Sequence, residues 1–253
     1  MLTTRQAMTR RITSLVAAAL LAVSPASAQF SGGGGQTEIG YRNPDTTVAL
    51  TRGTCATSTT NATTYTFTAT GVGGVNTDIG LIVVVAMGED ALTVFGVASM
   101  TINNVAATEI IDEDGTGLVD AALYRSNAEL SGTTVDIAVT FSEAVTSATV
   151  CAWKLTNLSS FTAQSSVQDD DTASGALVLT TGTTATAGFV VSACITETIT
   201  QTTTWAVLTE REDADNGEHD YSNADAAGTG ASMANTCDWT STGDASGVAA
   251  AFR

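Results

Sequence analysis

The chain has few of the residues that most catalytic and nucleic-acid-binding sites need. Its 253 residues include one lysine, Lys154, and one histidine, His219. A P-loop needs a lysine after a glycine-rich turn, and Lys154 follows no such turn. The 26 acidic residues outnumber the 9 basic ones, which gives a formal net charge of -17. We therefore expect no nucleic-acid partner, because such partners bind a basic face.

Charged residues, aromatic residues and prolines are also scarce. Charged residues make up 14% of the chain, against about 25% in ordinary domains. The two prolines are Pro25 and Pro44, so none interrupts a strand in the remainder of the chain. Apolar residues reach 43%, which is enough for a folded core. The length fits one large domain or two small ones.

Residues 1–28 have the pattern of a secretory signal peptide. Arginines precede an apolar run, Ile12–Val23, which is too short to span a membrane. Pro25 and the small-residue sequence Ala26-Ser27-Ala28 then suggest cleavage before Gln29. The alternative is an apolar N-terminal helix that is retained. No later segment is apolar enough to span a membrane, so we expect a secreted or cell-surface protein.

The segment that follows, residues 29–45, is predicted to be a flexible arm. It contains four consecutive glycines within Ser31–Gln36, and glycine-rich polar sequence behaves as a flexible linker. No composition break appears later, so residues 46–253 are predicted to form one domain.

Four cysteines fit export to an oxidising compartment. None belongs to a C-x-x-C pair, so we expect disulfides rather than a zinc site. Four cysteines allow three connectivities. We favour Cys151–Cys194, since both lie in apolar strand-like runs, and Cys55–Cys237, since both lie near the ends of the folded region. Four buried free thiols are the alternative.

The hydrophobic pattern after the arm is that of β-strands. Thr63–Thr70 alternates, and Leu81–Ala86 is a β-branched run typical of a strand buried on both faces. Asn103-Asn104 predicts a two-residue hairpin turn. The other predicted strands are 92–97, 99–103, 118–126, 134–141, 148–155, 176–180, 188–196, 205–210, 232–239 and 247–252.

These strands, at spacings of roughly 10 to 15 residues with little helix signal, predict an all-β fold. We expect a single antiparallel β-sandwich of jelly-roll type. Trp153, Trp205 and Trp239 lie in strand patterns and are expected to pack in its core.

The most acidic stretch, residues 210–220, loosely resembles a calcium-binding loop. Asp213, Asp215 and Asp220 are the candidate ligands, since calcium prefers several oxygen ligands on a tight turn. The match to a calcium loop is imperfect, because the glycine is one place early and no glutamate ends the loop. An ordinary solvated loop is the alternative, in which His219 is exposed.

Enzymatic function is not expected. A serine or cysteine nucleophile would have to use His219 as its base, and no G-x-S-x-G motif is present. Paired carboxylates could still support glycoside hydrolysis. Aromatic residues, which commonly form the sugar-binding platforms of such clefts, are only 6% of the chain.

Several segments resemble a loosely defined group of β-sandwich proteins, mostly uncharacterised, from bacteria, prophages and tailed phages. The segments are 64–73 (TYTFTATGVG), 81–86 (LIVVVA), 100–110 (MTINNVAATEI), 134–142 (TVDIAVTFS), 204–213 (TWAVLTERED) and the terminal GVAAAFR. The resemblance covers most of residues 60–253 and implies a surface or virion component without catalytic residues. An export signal is a departure from a virion protein assembled in the cytoplasm.

The sequence thus predicts a non-enzymatic structural or adhesive protein outside the cytoplasm, either a subunit of a surface assembly or a virion decoration protein. Self-assembly would use strand edges and the arm, which could add a strand to a neighbouring molecule. The alternative is a secreted module that binds glycans or another cell-surface ligand, with calcium as a candidate cofactor.

Overall fold

A computed structural model describes residues 47–90, 92–112, 117–172, 175–197, 202–240 and 243–253. Within these ranges every helix or strand element is a β-strand, and every strand pair is antiparallel. The all-β antiparallel prediction is confirmed. No helix in these ranges is long and apolar enough to cross a membrane. The predictions for residues 1–28 and 29–45 lie outside the described residues.

The first inner sheet has the strand order β1-β10-β4-β8-β7, and β2 also pairs with β10. Its central strand β4 has the sequence LIVVVAMGE and is buried at all nine positions. The prediction of a strand buried on both faces is confirmed there. The strands are β1 (Ala49–Arg52), β2 (Ala56–Ser58), β4 (Leu81–Glu89), β7 (Thr108–Asp112), β8 (Val119–Arg125) and β10 (Ser147–Thr156).

The outer sheet has the order β3-β9-β5-β6. Its strands alternate between buried and exposed side chains, as expected of a sheet with one face in a core and one in water. Asn103 and Asn104 have positive φ angles, and Ile102 pairs with Val105 across them, so the predicted hairpin turn is confirmed. The strands are β3 (Ala62–Gly71), β5 (Val97–Ile102), β6 (Val105–Ala106) and β9 (Thr134–Val145).

The second inner sheet has the order β11-β20-β14-β17-β16. Its middle strands β14 and β20 are apolar on both faces, and both of its edge strands carry acidic residues. The strands are β11 (Ser165–Asp171), β14 (Phe189–Thr196), β16 (Thr209–Asp215), β17 (Asp220–Ala227) and β20 (Ala245–Phe252).

Two small cover sheets pack on the second inner sheet, one with the order β12-β19-β15 and one formed by β13 and β18. Their strands are β12 (Ala176–Val178), β13 (Thr181–Thr183), β15 (Thr204–Trp205), β18 (Ser232–Met233) and β19 (Thr236–Asp238).

The sheets stack as layers with separate cores between them. In β4, Ile82 and Val84 point to the outer sheet, while Val83 and Val85 point to the second inner sheet. The opposite face of the second inner sheet packs on the cover sheets through two smaller cores. The described strands thus form five sheets in layers, and the expectation of a single jelly-roll sandwich is not confirmed. The three tryptophans pack in these cores, as predicted.

Two local predictions are wrong. Residues 92–96 form no strand, and β5 begins only at Val97. Residues 210–220, expected to be a loop, are mostly strand, because β16 and β17 pair as a hairpin with Asp215 opposite Asp220. Acidic side chains are tolerated there because β16 is an edge strand with access to water.

Candidate functional site

The strands of the first inner sheet define two ends of the molecule. β4 runs about 26 Å from Leu81 to Glu89, at roughly 3.3 Å per residue. β10 runs in the opposite direction, with Leu155 opposite Leu81 and Ser147 opposite Glu89. We call the end at Leu81 the lower end and the end at Glu89 the upper end.

His219 lies buried at the upper end, and the expectation of an exposed loop histidine is wrong. Its side chain is completely inaccessible to solvent. Its Nδ1 lies 2.7 Å from Ser147 Oγ and its Nε2 lies 3.0 Å from Thr149 Oγ1. The cause is the β16–β17 hairpin, whose turn lays His219 against β10. No local sequence signal reveals this contact, because it joins residues about 70 positions apart.

The environment of His219 makes it a poor general base. Burial lowers its pKa to about 3, although nearby Asp215 acts in the opposite direction. The ring is therefore neutral at physiological pH and is held by two hydroxyl groups. Glu89 at the same end is also buried, and burial raises its pKa, while a hydrogen bond from Thr146 lowers it.

The three candidate calcium ligands lie on the β16–β17 hairpin. Asp213 accepts a hydrogen bond from the backbone N–H of Thr203 at 3.0 Å, Asp215 accepts one from Gly217, and Asp220 is buried. Among the described residues, no three His, Cys, Asp or Glu side chains are grouped closely enough to hold a metal ion. Calcium binding stays a prediction from the sequence.

Both disulfides form, but with a different connectivity from the favoured one. The bonds are Cys55–Cys151 and Cys194–Cys237. Cys55 lies between β1 and β2, which pair with β10 on either side of Cys151. Cys194 points into the core beneath the cover sheets, whereas Cys151 points into the core between the inner sheets. Because they face different cores, these two cannot meet. The two disulfides fit an oxidising, non-cytoplasmic environment.

A buried ionic group ties the two inner sheets together, and sequence analysis did not find it. Asp225 on β17 is completely buried. Arg52 of β1 approaches it with Nε at 3.0 Å, and Arg211 of β16 approaches with Nη2 at 2.6 Å. The two arginines offset the energetic cost of burying the charge of Asp225. This cluster therefore has a structural role and needs no functional explanation.

Lys154 lies buried near the other end of β10. Its Nζ donates to the backbone carbonyl oxygens of Asp78, at 3.3 Å, and Gly132. Burial lowers its pKa, and the nearby Asp78 carboxylate opposes that shift. The lysine thus joins two loops of the lower end.

Among the cavities that open on the surface of the described residues are the following three. The upper one, of 380 Å³, lies beside Val94 and Phe95. A second, of 270 Å³, is lined by polar side chains that include Glu109 and Arg125. The third, of 120 Å³, lies at the lower end, and we call it the lower pocket. Its lining residues are Ile102, Asn103, Val105, Ser126, Asn127, Ala128 and Leu130.

Strand β3 forms a long edge of the outer sheet. Tyr65 and Phe67 point into the core, and the Tyr65 hydroxyl donates to the carbonyls of Thr60 and Val145, at 2.6 and 2.7 Å. The alternate side chains are exposed threonines, and Thr64 lies 3.2 Å from Thr140 of β9 through their hydroxyl oxygens. A bulge at Ala69, where φ is 53°, interrupts the ladder toward the end of the strand.

The edge strands differ in charge. β7 carries two acidic residues, β11 carries three, and β16 carries four with one arginine. The ten residues of β3 include no charged side chain. Natural edge strands often carry charges that discourage pairing with other molecules. The described edge strands without a charged residue include the two-residue β6 and the short strands of the cover sheets, and β3 is the longest of them.

No family model, curated protein or solved structure matches this chain.

Proposed function

We propose that this protein is a non-enzymatic structural or adhesive subunit that acts outside the cytoplasm and assembles with copies of itself. The observation that carries the proposal is the uncharged edge of β3 on a strongly acidic chain. Two copies of such a chain repel each other through most of their surface, and the repulsion is weakest where charge is absent. Edge pairing at β3, the longest uncharged edge strand of the described residues, therefore meets little electrostatic repulsion.

Other features support this function. One disulfide links β10 to the segment between β1 and β2, and the other links the second inner sheet to a cover sheet. Such cross-links stabilise a protein that acts outside the cytoplasm. His219, the one histidine of the chain, is buried and neutral, which suits a structural role better than catalysis. The signal-like residues 1–28 favour export, and the arm at 29–45 supplies a second means of association by strand addition. The assembly is a cell-surface structure or the decoration of a virion.

The test is to measure mass and particle size together on the protein purified from its source without reducing agent. The expected result is a chain that begins at Gln29, lacks four thiol hydrogens and forms large particles. A monomer of the same mass would overturn self-assembly and favour the glycan-binding alternative. A full-length chain in large particles would retain the assembly but overturn cleavage.

The role of the arm has its own control. A variant that lacks residues 29–45 should form fewer or smaller particles if the arm donates a strand. Unchanged particles would remove the arm from the mechanism and leave the edges and ends of the folded domain as the contacts.

A further inference from the structure

The hydrogen bonds of β9 show which of its backbone groups point to β3. The carbonyl oxygen of Asp136 accepts a hydrogen bond from the backbone N–H of Asn103 at 2.7 Å. The N–H of Asp136 donates to the Asn103 side chain at 2.9 Å, so both groups point to the β5 side of β9. The backbone groups of successive residues in a strand point to opposite sides. Those of Ile137 and Val139 therefore point to β3.

The same alternation assigns the backbone groups of β3. Tyr65 and Phe67 are paired with these two residues of β9, so their N–H and C=O groups bond within the outer sheet. The N–H and C=O groups of Thr64 and Thr66 point away from β9, and no backbone group in the described part of the chain bonds to them. Both threonine side chains are exposed. β3 thus offers donors and acceptors to a further strand.

The surface around this edge has no charge of its own. Residues 53–77, which include β2 and β3, contain no charged side chain. The long edge strands of the two inner sheets differ, because β7, β11 and β16 each carry at least two acidic residues. A second copy of this acidic chain can therefore approach β3 with little repulsion.

We propose that β3 pairs antiparallel with β3 of a second copy, about a two-fold axis at Tyr65. This inference rests on the proposed self-assembly and assigns the partner strand and the register of one of its contacts. Thr64 of each copy then lies opposite Thr66 of the other, and each of these two pairs exchanges both of its main-chain hydrogen bonds. The outer sheets of the two copies join into one continuous sheet.

The side chains fit this register. Within one copy, the Thr64 hydroxyl oxygen already lies 3.2 Å from that of Thr140 on β9. The pairing continues this row with Thr66 of the second copy, and cross-strand threonine pairs stabilise antiparallel sheets. Tyr65 and Phe67 keep their places in the core of each copy, because they point to the opposite face of the sheet.

The two-fold arrangement also keeps acidic residues of the two copies apart. Asp136 and Glu143 lie on β9, one strand behind the contact. Three strand spacings, about 14 Å, then separate the β9 strands of the two copies. This distance exceeds the Debye length of about 8 Å at physiological ionic strength, so repulsion between these exposed groups is largely screened. Pairing of β3 with β11 of a second copy would instead place three aspartates beside the contact.

The contact is short, and it is closed. A register shift before Thr64 and the bulge at Ala69 limit the regular part of β3. Pairing is therefore weak in dilute solution and is strengthened where other contacts already hold the copies together. Because the contact is isologous, it joins two copies and occupies the β3 edge of both. Large particles need a second, different contact, for which the arm at residues 29–45 is the candidate.

Cysteine cross-linking in the full chain tests the register. Thr64→Cys and Thr66→Cys each add one exposed thiol, and brief oxidation of the folded proteins links thiols that lie close together. An equimolar mixture of the two variants should form a cross-linked dimer, because the two positions lie opposite each other, with Cα atoms about 5.5 Å apart. Either variant alone should cross-link several-fold less, because the same position in the two copies lies on a diagonal, about 8 Å apart.

A proline substitution separates edge pairing from folding. Thr66→Pro removes an N–H that points away from β9, so the fold should be retained. Each copy loses one hydrogen bond of the contact, and association in sedimentation velocity should weaken by roughly tenfold. The arm is intact in both proteins, so the difference between the variant and the wild type reports on β3 alone.

A matched control uses the opposite edge of the outer sheet. Ala106 of β6 also points its backbone groups away from its neighbour, since its carbonyl accepts a hydrogen bond from the Asn127 side chain. Ala106→Pro should leave association unchanged. Circular dichroism should show that both proline variants retain the β-sheet spectrum of the wild type.

Each contrary outcome has its own meaning. Cross-linking without preference for the mixed pair, or full association in Thr66→Pro, overturns the two-fold β3 contact. Weaker association in Thr66→Pro without a cross-link between positions 64 and 66 also overturns it, and assigns the β3 edge to another occupant such as the arm. In these cases wild-type particles leave the proposed self-assembly intact. A wild type that stays monomeric at every concentration overturns the proposed function as well.

Discussion

The two ends of β10 hold the one histidine and the one lysine of the chain in opposite ways. At the upper end, His219 is bonded to the hydroxyls of Ser147 and Thr149. At the lower end, Lys154 donates to the carbonyls of Asp78 and Gly132. Both side chains are fully buried. Hydroxyl partners suit a neutral ring, because they donate or accept, whereas carbonyl partners suit a permanent donor.

This difference gives the two ends different sensitivities. His219 stabilises the fold only while it is neutral, so the upper end is vulnerable to acid. Lys154 donates hydrogen bonds to two loops, so the stability of the lower end depends on the presence of this side chain.

The largest expected effect is the acid response of the upper end. The pKa of His219 is about 3 in the folded protein, against 6.5 in the unfolded chain. Below pH 6.5 His219 binds a proton in the unfolded chain but not in the folded protein. The free energy of unfolding therefore decreases as the pH falls toward 3. The loss amounts to about 3 kcal/mol by pH 4. Urea unfolding of the wild type and His219→Gln at pH 7 and pH 4 measures it.

The comparison with His219→Gln isolates the histidine from other acidic groups. Burial raises the pKa of Glu89 at the same end, which acts in the opposite direction, because a raised carboxyl pKa favours the folded state as the pH falls. Both proteins share this effect. If the variant loses as much stability as the wild type between the two pH values, the burial of a neutral histidine is wrong.

The second effect concerns the lower end. Lys154→Ala should destabilise the fold by about 3 kcal/mol, because it leaves a cavity and two carbonyls without their donor. Lys154→Met should cost less, about 1–2 kcal/mol, since the methylene packing remains. Urea unfolding at pH 7 measures both. Equal losses in the two variants would mean that the ammonium group, rather than packing, carries the whole effect.

The contrast also shows which features sequence patterns can reveal. The doubly buried β4 and the Asn103-Asn104 turn were predictable, because each depends on residues that are adjacent in the chain. The polar edge strand β11 was missed, and β16 was mostly assigned to a loop, because SSVQDDD and TEREDAD lack an apolar face. Such segments become strands only because a neighbouring strand completes their hydrogen bonds.

The candidate sites depended even more on distant contacts. The burial of His219 requires the β16–β17 hairpin to meet β10, and the disulfide pairing depends on which core each cysteine faces. Leu92 was assigned to a strand, since LTVFGV has strand-forming residues, yet residues 92–96 precede β5 and the backbone N–H of Leu92 bonds to Asp90 instead. Composition and periodicity contain no information on such pairings.

The smallest effect tests whether the two hydroxyl partners of His219 are equivalent. Thr149→Val keeps the shape of the side chain and removes the partner of Nε2, whereas Ser147→Ala removes the partner of Nδ1. Each should cost about 1 kcal/mol in urea unfolding at pH 7, the usual contribution of one hydrogen bond. The two losses should be similar, because Asn216 Nδ2 lies 3.3 Å from Nδ1 and 3.2 Å from Nε2 and so favours neither ring nitrogen. A clearly larger loss in either variant would contradict this equivalence and show that the two hydroxyl partners differ.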